Sequence, residues 1–215
     1  KASDDLLAFT ENMGGKTAAD KARAEIKDIA ESSVRKMCDM TKAGGANTVW
    51  GHDYASGLTF SLRRGARWVT SNPCKIQAFK KDFPEHYQDL VSEIKRENAG
   101  ADASVMAAQM FTKVCAISAR ALYPIFEATD KQYGFVCMQV DPREVKNTDA
   151  MIQQVDFWYE AMKKELGVEE PNVVFKLPAV EPAFKAAEVL LQKNYKLCMT
   201  LNFTVTQHAA FAKIL

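Results

Sequence analysis

The feature that most constrains this chain is the alternation of extended and helical segments after Gly134. Phe135 to Val140 reads as a strand, Asp149 to Leu166 as an amphipathic helix and Val173 to Leu177 as a strand. Pro182 to Lys193 follows as a helix with proline in its first turn, then Lys196 to Leu201 as a strand, and a further helix starts at Gln207. Parallel neighbours need a long crossover connection and a helix supplies it, so this order implies a parallel sheet covered by helices. Two α/β architectures satisfy it, an open doubly wound sheet and a closed barrel.

The sequence before Gly134 extends the scheme. Thr48-Val49-Trp50 has the β-branched and aromatic character of a short first strand ending near Asp53. Arg67-Trp68-Val69-Thr70 is a second, stopped by Ser71-Asn72-Pro73, where proline ends the ladder. From about Pro84 to Thr129, Val105, Phe111, Val114, Ile117 and Leu122 recur at helical spacing, which predicts two or three helices interrupted near Gly100. Asp4 to Lys42 is polar and Ala-rich, with Ile26, Ile29, Val34 and Met37 at helical spacing, and reads as two helices divided near Gly14 and Gly15. The domain reading is therefore a helical segment over 1–47 and an α/β body over 48–215.

Charge and cysteine content narrow the function classes. With 28 basic against 27 acidic residues the net charge is +1, which gives no field to attract nucleic acid or an anionic membrane surface. No apolar run approaches the ~20 residues that span a bilayer. The five cysteines, at 38, 74, 115, 137 and 198, are odd in number and contain no Cys-x-x-Cys pair, so they read as small buried hydrophobes in a reducing compartment, the cytoplasm or an organellar stroma.

Phosphate-cradling glycine loops, His-Glu-x-x-His and Gly-x-Ser-x-Gly are all absent, so neither a nucleotide cofactor nor a metal is implied. Instead, each predicted strand carries a polar or reactive residue near its C-terminal end: Asp53, Asn72 (after Ser71), Gln139, Lys176 and Thr200. That edge is where parallel α/β folds bind ligands. Lys176 is the most informative, because it places an ammonium inside the apolar run Val173-Val174-Phe175-Lys176-Leu177. Alternation puts it on one face with Val174, opposite Val173, Phe175 and Leu177. Two readings stand: a desolvated amine that attacks a carbonyl to form a Schiff base, or a lysine whose stem packs while its head reaches water. His52 reads as a hydrogen-bonded structural histidine, Trp50, Trp68 and Trp158 as packing, and Glu165, Glu169 and Glu170 as a solvated acidic surface.

Four segments in order, Trp68-Val69-Thr70-Ser71-Asn72-Pro73, Gln139-Val140-Asp141-Pro142-Arg143, Val174-Phe175-Lys176-Leu177-Pro178-Ala179 and Thr200-Leu201-Asn202-Phe203-Thr204, resemble the strand motifs of the transaldolase family, which includes fructose-6-phosphate aldolases. Asp149, in the helix after Asp141-Pro142-Arg143, adds to the match. The resemblance implies a (β/α)₈ barrel of the TIM type whose strand-four lysine, matched by Lys176, forms a Schiff base with a ketose phosphate. It implies that Asp53 handles the proton on the sugar hydroxyl during carbon–carbon cleavage, that Asn72, with Ser71, contacts substrate, and that Thr200 helps hold a catalytic water. Gln139 stands where transaldolases carry Glu, and an amide cannot serve as a carboxylate base, although the aldolase branch resembles this chain there. Cys198 and Val180 stand where Asn and Thr are usual, removing polar groups from the barrel mouth.

About 250 residues is typical for such a barrel, and only about five strands are legible behind the N-terminal helices. The expectation is a partial barrel completed by further sequence or by another chain. The functions to weigh are a Schiff-base aldolase or transaldolase acting on a small sugar phosphate, and a catalytically silent scaffold of the same fold.

Overall fold

The computed structural model describes residues 2–45, 48–53 and 58–214. It divides into two compact units: residues 1–50 with 59–66, and residues 51–58 with 67–215.

The first unit is helical. The helices are α1 (Ala2–Glu31), α2 (Ser33–Lys42) and α3 (Leu58–Arg63), the last lying across the boundary of the two units. At Gly15, φ is 71° and ψ is −179°, so the helical run of α1 breaks where the sequence expects a division. A second break follows at Ser32, whose hydroxyl caps α2 by accepting from the Arg35 amide at 3.2 Å. The N-terminal segment thus holds one helical break more than the sequence reading, because a short polar cap is a weak signal beside a glycine pair. Arg64 pairs with Asp28, and the Cys38 thiol lies 3.5 Å from the Gly65 carbonyl.

The second unit runs β1 (Trp68–Thr70), α4 (Lys75–Asp82), α5 (Pro84–Glu97), α6 (Ala103–Ala128), β2 (Phe135–Gln139), α7 (Thr148–Leu166), β3 (Val173–Pro178), α8 (Glu181–Gln192), β4 (Leu197–Thr200) and α9 (Val205–Ala212). The four strands form one sheet in the order β1-β2-β3-β4, every pair parallel. Each strand lies beside its predecessor with no reversal. A doubly wound sheet needs such a reversal, so the choice left open by the sequence falls to a singly wound sheet. The first predicted strand contributes a single parallel bridge, His52 to Val69, with the His52 amide donating to Trp68 O and the Thr70 amide to His52 O at 3.0 and 2.8 Å. Among the described residues there are therefore four strands and a bridge where five strands were expected. The sequence also missed α4, whose polar run carries only Ile76 and Phe79 as strong apolar residues.

The core lies between the sheet and its helices. Val69, Val136, Met138, Phe175 and Leu177 of the sheet are buried, as are Cys115 and Leu122 of α6, Val155 of α7 and Ala187 of α8, and α6 packs on β2 while α7 and α8 pack on β3. Gly134 makes the tight entry from α6 to β2: its φ is +86°, and a Cβ there would lie 2.5 Å from the Phe126 amide nitrogen. Asn172, fully buried at the start of β3, donates to Ala119 O and Gly134 O at 3.0 and 2.6 Å, tying that turn to the next strand. The acidic cluster is only in part a solvated surface: Glu169 is exposed, whereas Glu165 holds Lys113 and Arg120 and Glu170 pairs with Lys131 and Lys196.

Candidate active site

The residues at the C-terminal strand ends are placed by register. Gln139 of β2 pairs with Lys176 of β3, and Lys176 with Cys198 of β4, so three side chains share one row on one face. Thr200 follows two residues on, opposite Pro178, and its carbonyl accepts from the Ala179 amide at 2.8 Å. Val173, Phe175 and Leu177 are at most 3% exposed and face the helices, while Lys176 alone in β3 is only half-buried. The strand's alternation thus sends the one ammonium away from the helical layer. Among the described residues no carboxylate pairs with Lys176.

The sequence reading treated the cysteines alike; the structure separates them. Cys115 of α6 is buried, and burial pushes its thiol up to about 12, with a hydrogen bond from Ser71 acting against that rise. Cys137 and Cys198 lie on the Lys176 face. Their thiols are hydrogen-bonded, which raises Cys137 well above the ordinary thiol value, a rise that burial reinforces. The same hydrogen bond lowers Cys198 to about 7; burial opposes this and the Lys176 charge supports it.

That thiol contact also reports on the sheet. Cys137 pairs with Val174, and Cys198 with Lys176, two residues beyond Val174. In a flat sheet the two would be separated by two strand spacings, about 9.6 Å, and a further two residues along the strand, far beyond thiol contact. A stagger of one residue per strand with inward curl is the barrel relation that brings alternate strands into one layer. The four parallel strands therefore form a curled half-barrel with Cys137, Lys176 and Cys198 on its inner face.

The other predicted residues are spread along the same edge. Asp53 is exposed, accepts a hydrogen bond from the Thr70 hydroxyl, and lies 3.7 Å from Lys75 Nζ. No contact joins it to Lys176 among the described residues. Ser71 is 1% exposed, and its hydroxyl faces the Cys115 thiol on the helical side of the sheet. Asn72 is half-buried, and its buried Oδ1 has no hydrogen-bond partner among the described residues. After Gln139, Asp141 caps a short 3₁₀ turn by accepting from the Arg143 amide at 2.9 Å, and the Arg143 guanidinium holds its carboxyl below the usual range. Leu201, immediately after Thr200, has φ +62°, a left-handed conformation costly for a branched residue.

Alternation could have found the missed thiols: Cys137 and Gln139, Val174 and Lys176, and Cys198 and Thr200 are three i, i+2 pairs on one face. An apolar cavity of about 420 Å³ among α4, α5 and α6 touches this edge only at Pro73. Among the described residues no cluster of three His, Cys, Asp or Glu is placed to hold a metal, and no helix is long and apolar enough to cross a membrane.

Singly wound parallel strands that curl into a half-barrel, with a lysine on the inner face, define a barrel-type α/β protein. Residues 58–214 match the family described as Transaldolase/Fructose-6-phosphate aldolase. A transaldolase of Mycobacterium ulcerans (strain Agy99) is 31% identical over 143 residues, 65% of this chain and 35% of that protein. A transaldolase of Neisseria gonorrhoeae (strain ATCC 700825 / FA 1090) is 27% identical over 165 residues, 73% of this chain and 43% of that protein. The chain belongs to the transaldolase/fructose-6-phosphate aldolase family, and it spans well under half the length of these relatives.

Proposed function

We propose that the chain provides the Schiff-base half of a (β/α)₈ enzyme that cleaves or transfers a dihydroxyacetone unit of a ketose phosphate. The observation that carries this reading is Lys176, a half-buried amine on an otherwise buried strand, in register with Gln139 and Cys198 and without a carboxylate partner among the described residues. Lys176 Nζ attacks the ketose carbonyl, and loss of water gives the iminium ion. Asp53, positioned by Thr70, then takes the proton of the sugar hydroxyl; the adjacent carbon–carbon bond breaks, an aldehyde leaves, and the electron pair passes into the iminium as an enamine. Asn72 offers its unpartnered Oδ1 to the sugar, and Ser71 supports it by fixing the strand end. Thr200 and Gln139 position the water that serves the later proton transfers, Gln139 by hydrogen bonding and not as a base. Sequential parallel order supports completion of the barrel by further strands, from the same chain or another. Five free thiols support a reducing location, the cytoplasm or an organellar stroma.

A second reading is a silent scaffold of the same fold, favoured by Gln139 at the place where transaldolases carry Glu. Aldehyde release from fructose 6-phosphate, abolished in Lys176→Met, removes the scaffold reading. A folded protein with no turnover over its Lys176→Met background removes the enzyme reading.

A further inference from the structure

Asp53, the base for carbon–carbon cleavage in the Schiff-base reading, is exposed, yet both of its carboxylate oxygens have a neighbour. Its face follows from register. His52 bridges to Val69, which is fully buried. Bridged residues share a face, so alternation turns Asp53 to the opposite one, with Thr70. Thr70 is the register partner of Cys137, two residues before Gln139, and Gln139 is the partner of Lys176. Asp53 therefore stands on the face that carries Lys176. Its Oδ1 accepts from the Thr70 hydroxyl, and its Oδ2 lies 3.7 Å from the Lys75 ammonium. Thr70 ends β1 and Lys75 opens α4, so the carboxylate is held from both sides of the turn at 71–74.

Lys75 does not serve its own helix. α4 has no acidic residue in its first turn, and Cys74 gives it no side-chain cap. A lysine at the first position adds positive charge to the positive end of the helix dipole, where an acid is favoured. Nor does the ion pair add much to stability, because its carboxylate is exposed. A residue that breaks a local rule marks a constraint set elsewhere, and the group it reaches here is Asp53.

We propose that Lys75 is a positioning residue for cleavage: with Thr70 it fixes the Asp53 carboxylate so that Oδ2 is the oxygen that takes the proton of the sugar hydroxyl. The Thr70 hydrogen bond occupies Oδ1. At 3.7 Å, outside the hydrogen-bond limit of about 3.2 Å, Lys75 attracts Oδ2 and leaves its lone pairs open to a proton. In the step, the hydroxyl proton passes to Oδ2 and the electron pair of the O–H bond becomes the second bond of the aldehyde carbonyl. The carbon–carbon pair moves into the Lys176 iminium and leaves an enamine. The inference rests on the Schiff-base reading, and in it Lys75 acts through Asp53 and not on the substrate. The upper strength of an exposed ion pair corresponds to about fivefold in rate.

The test separates imine formation from cleavage in Lys75→Met and Lys75→Arg. Borohydride trapping with dihydroxyacetone reads the first, in which no sugar hydroxyl is deprotonated; aldehyde release from fructose 6-phosphate reads the second. Lys75→Met is expected to trap on Lys176 at the wild-type rate, which also shows that it is folded, and to lower kcat for release about fivefold at unchanged KM. Lys75→Arg, which keeps the charge, is expected to recover most of the loss. Unchanged release in Lys75→Met overturns the proposal. So does a raised KM at unchanged kcat, the mark of a substrate contact, or trapping slowed as much as release, the mark of a structural role. Lys75→Arg no faster than Lys75→Met overturns it as well. Absence of adduct or of release in folded wild-type protein ends the Schiff-base reading and this inference together, whereas an active wild type matched by Lys75→Met ends this inference alone.

Discussion

Lys113 and Lys176 each interrupt an apolar run, Phe111-Thr112-Lys113-Val114-Cys115 in α6 and Val174-Phe175-Lys176-Leu177 in β3, yet their surroundings are opposite. Lys113 is 5% exposed and surrounded by carboxylates, Glu165 at 2.8 Å, Glu93 at 3.0 Å and Glu97 at 3.3 Å. Burial pulls that amine down, but the hydrogen bonds it donates to the three carboxylates outweigh it and hold the group above the ordinary lysine range. Its proton is locked in place, and it ties α5, α6 and α7 together. Lys176 faces thiols, an amide and the open edge of the sheet. An apolar sequence context does not distinguish a lysine held by carboxylates from one that meets none among the described residues.

The largest expected effect is on chemistry. Lys176→Met should lower ketose-phosphate cleavage by more than about a thousandfold, since Lys176 is the group proposed to form the imine. Its urea midpoint should stay within about 1 kcal/mol of wild type, as for a half-buried side chain without an ion pair. Lys113→Met should do the reverse. Removing one partner of a buried ionic cluster should cost about 2–4 kcal/mol in urea unfolding, below the upper range for such losses because the stranded carboxylates keep some water, while the folded fraction retains its turnover per site.

A third change makes the two lysines more alike. Gln139→Glu places a carboxylate in register with Lys176. The new charge favours the ammonium, so the pH at which imine formation reaches half its maximum should rise by about one unit, measured by borohydride trapping across pH. An unmoved profile would mean that the register pair does not meet at the side-chain level.

The smallest effect is the pH response of the Lys113 cluster. The Lys113 ammonium holds the Glu93 carboxyl below its ordinary range. A lowered carboxylate stabilises the fold above its unfolded value, near 4.3, and that contribution is lost as pH falls. The raised Lys113 acts in the other direction: its contribution is complete below about 10.4 and is lost as pH climbs through the folded value. Stability from this cluster should be flat between about pH 5 and 10 and fall by less than about 1 kcal/mol on going to pH 3.5, Glu93 being partly exposed. In Lys113→Met that acid loss should disappear, as read from urea midpoints at pH 6 and 3.5.

The two lysines also mark how far the sequence is legible. Period-two alternation around Lys176 is visible in six residues, so its face follows from β3 alone. Lys113 draws Glu93 and Glu97 from one helix and Glu165 from another, and no local period announces a partner 52 positions away. The regular β/α alternation after Gly134 is legible for the same local reason, as is the proline start of α8, whereas α9 starts at Val205, two residues before the expected Gln207, behind a Thr204–Gln207 capping box. What escapes is set by tertiary packing: α4, which lacks a strong apolar stripe, and the reduction of the first strand to the His52 bridge. The Cys137–Cys198 contact escapes too, since it depends on the curl of a sheet and not on spacing in the chain.

The contrast between the lysines is tested most directly by trapping. The protein is incubated with dihydroxyacetone or fructose 6-phosphate, reduced with borohydride, and every lysine-containing peptide is mapped by mass. The reduced substrate is expected on Lys176 and none on Lys113; an adduct on Lys113, or none on Lys176 in folded protein, would contradict the proposed role of Lys176.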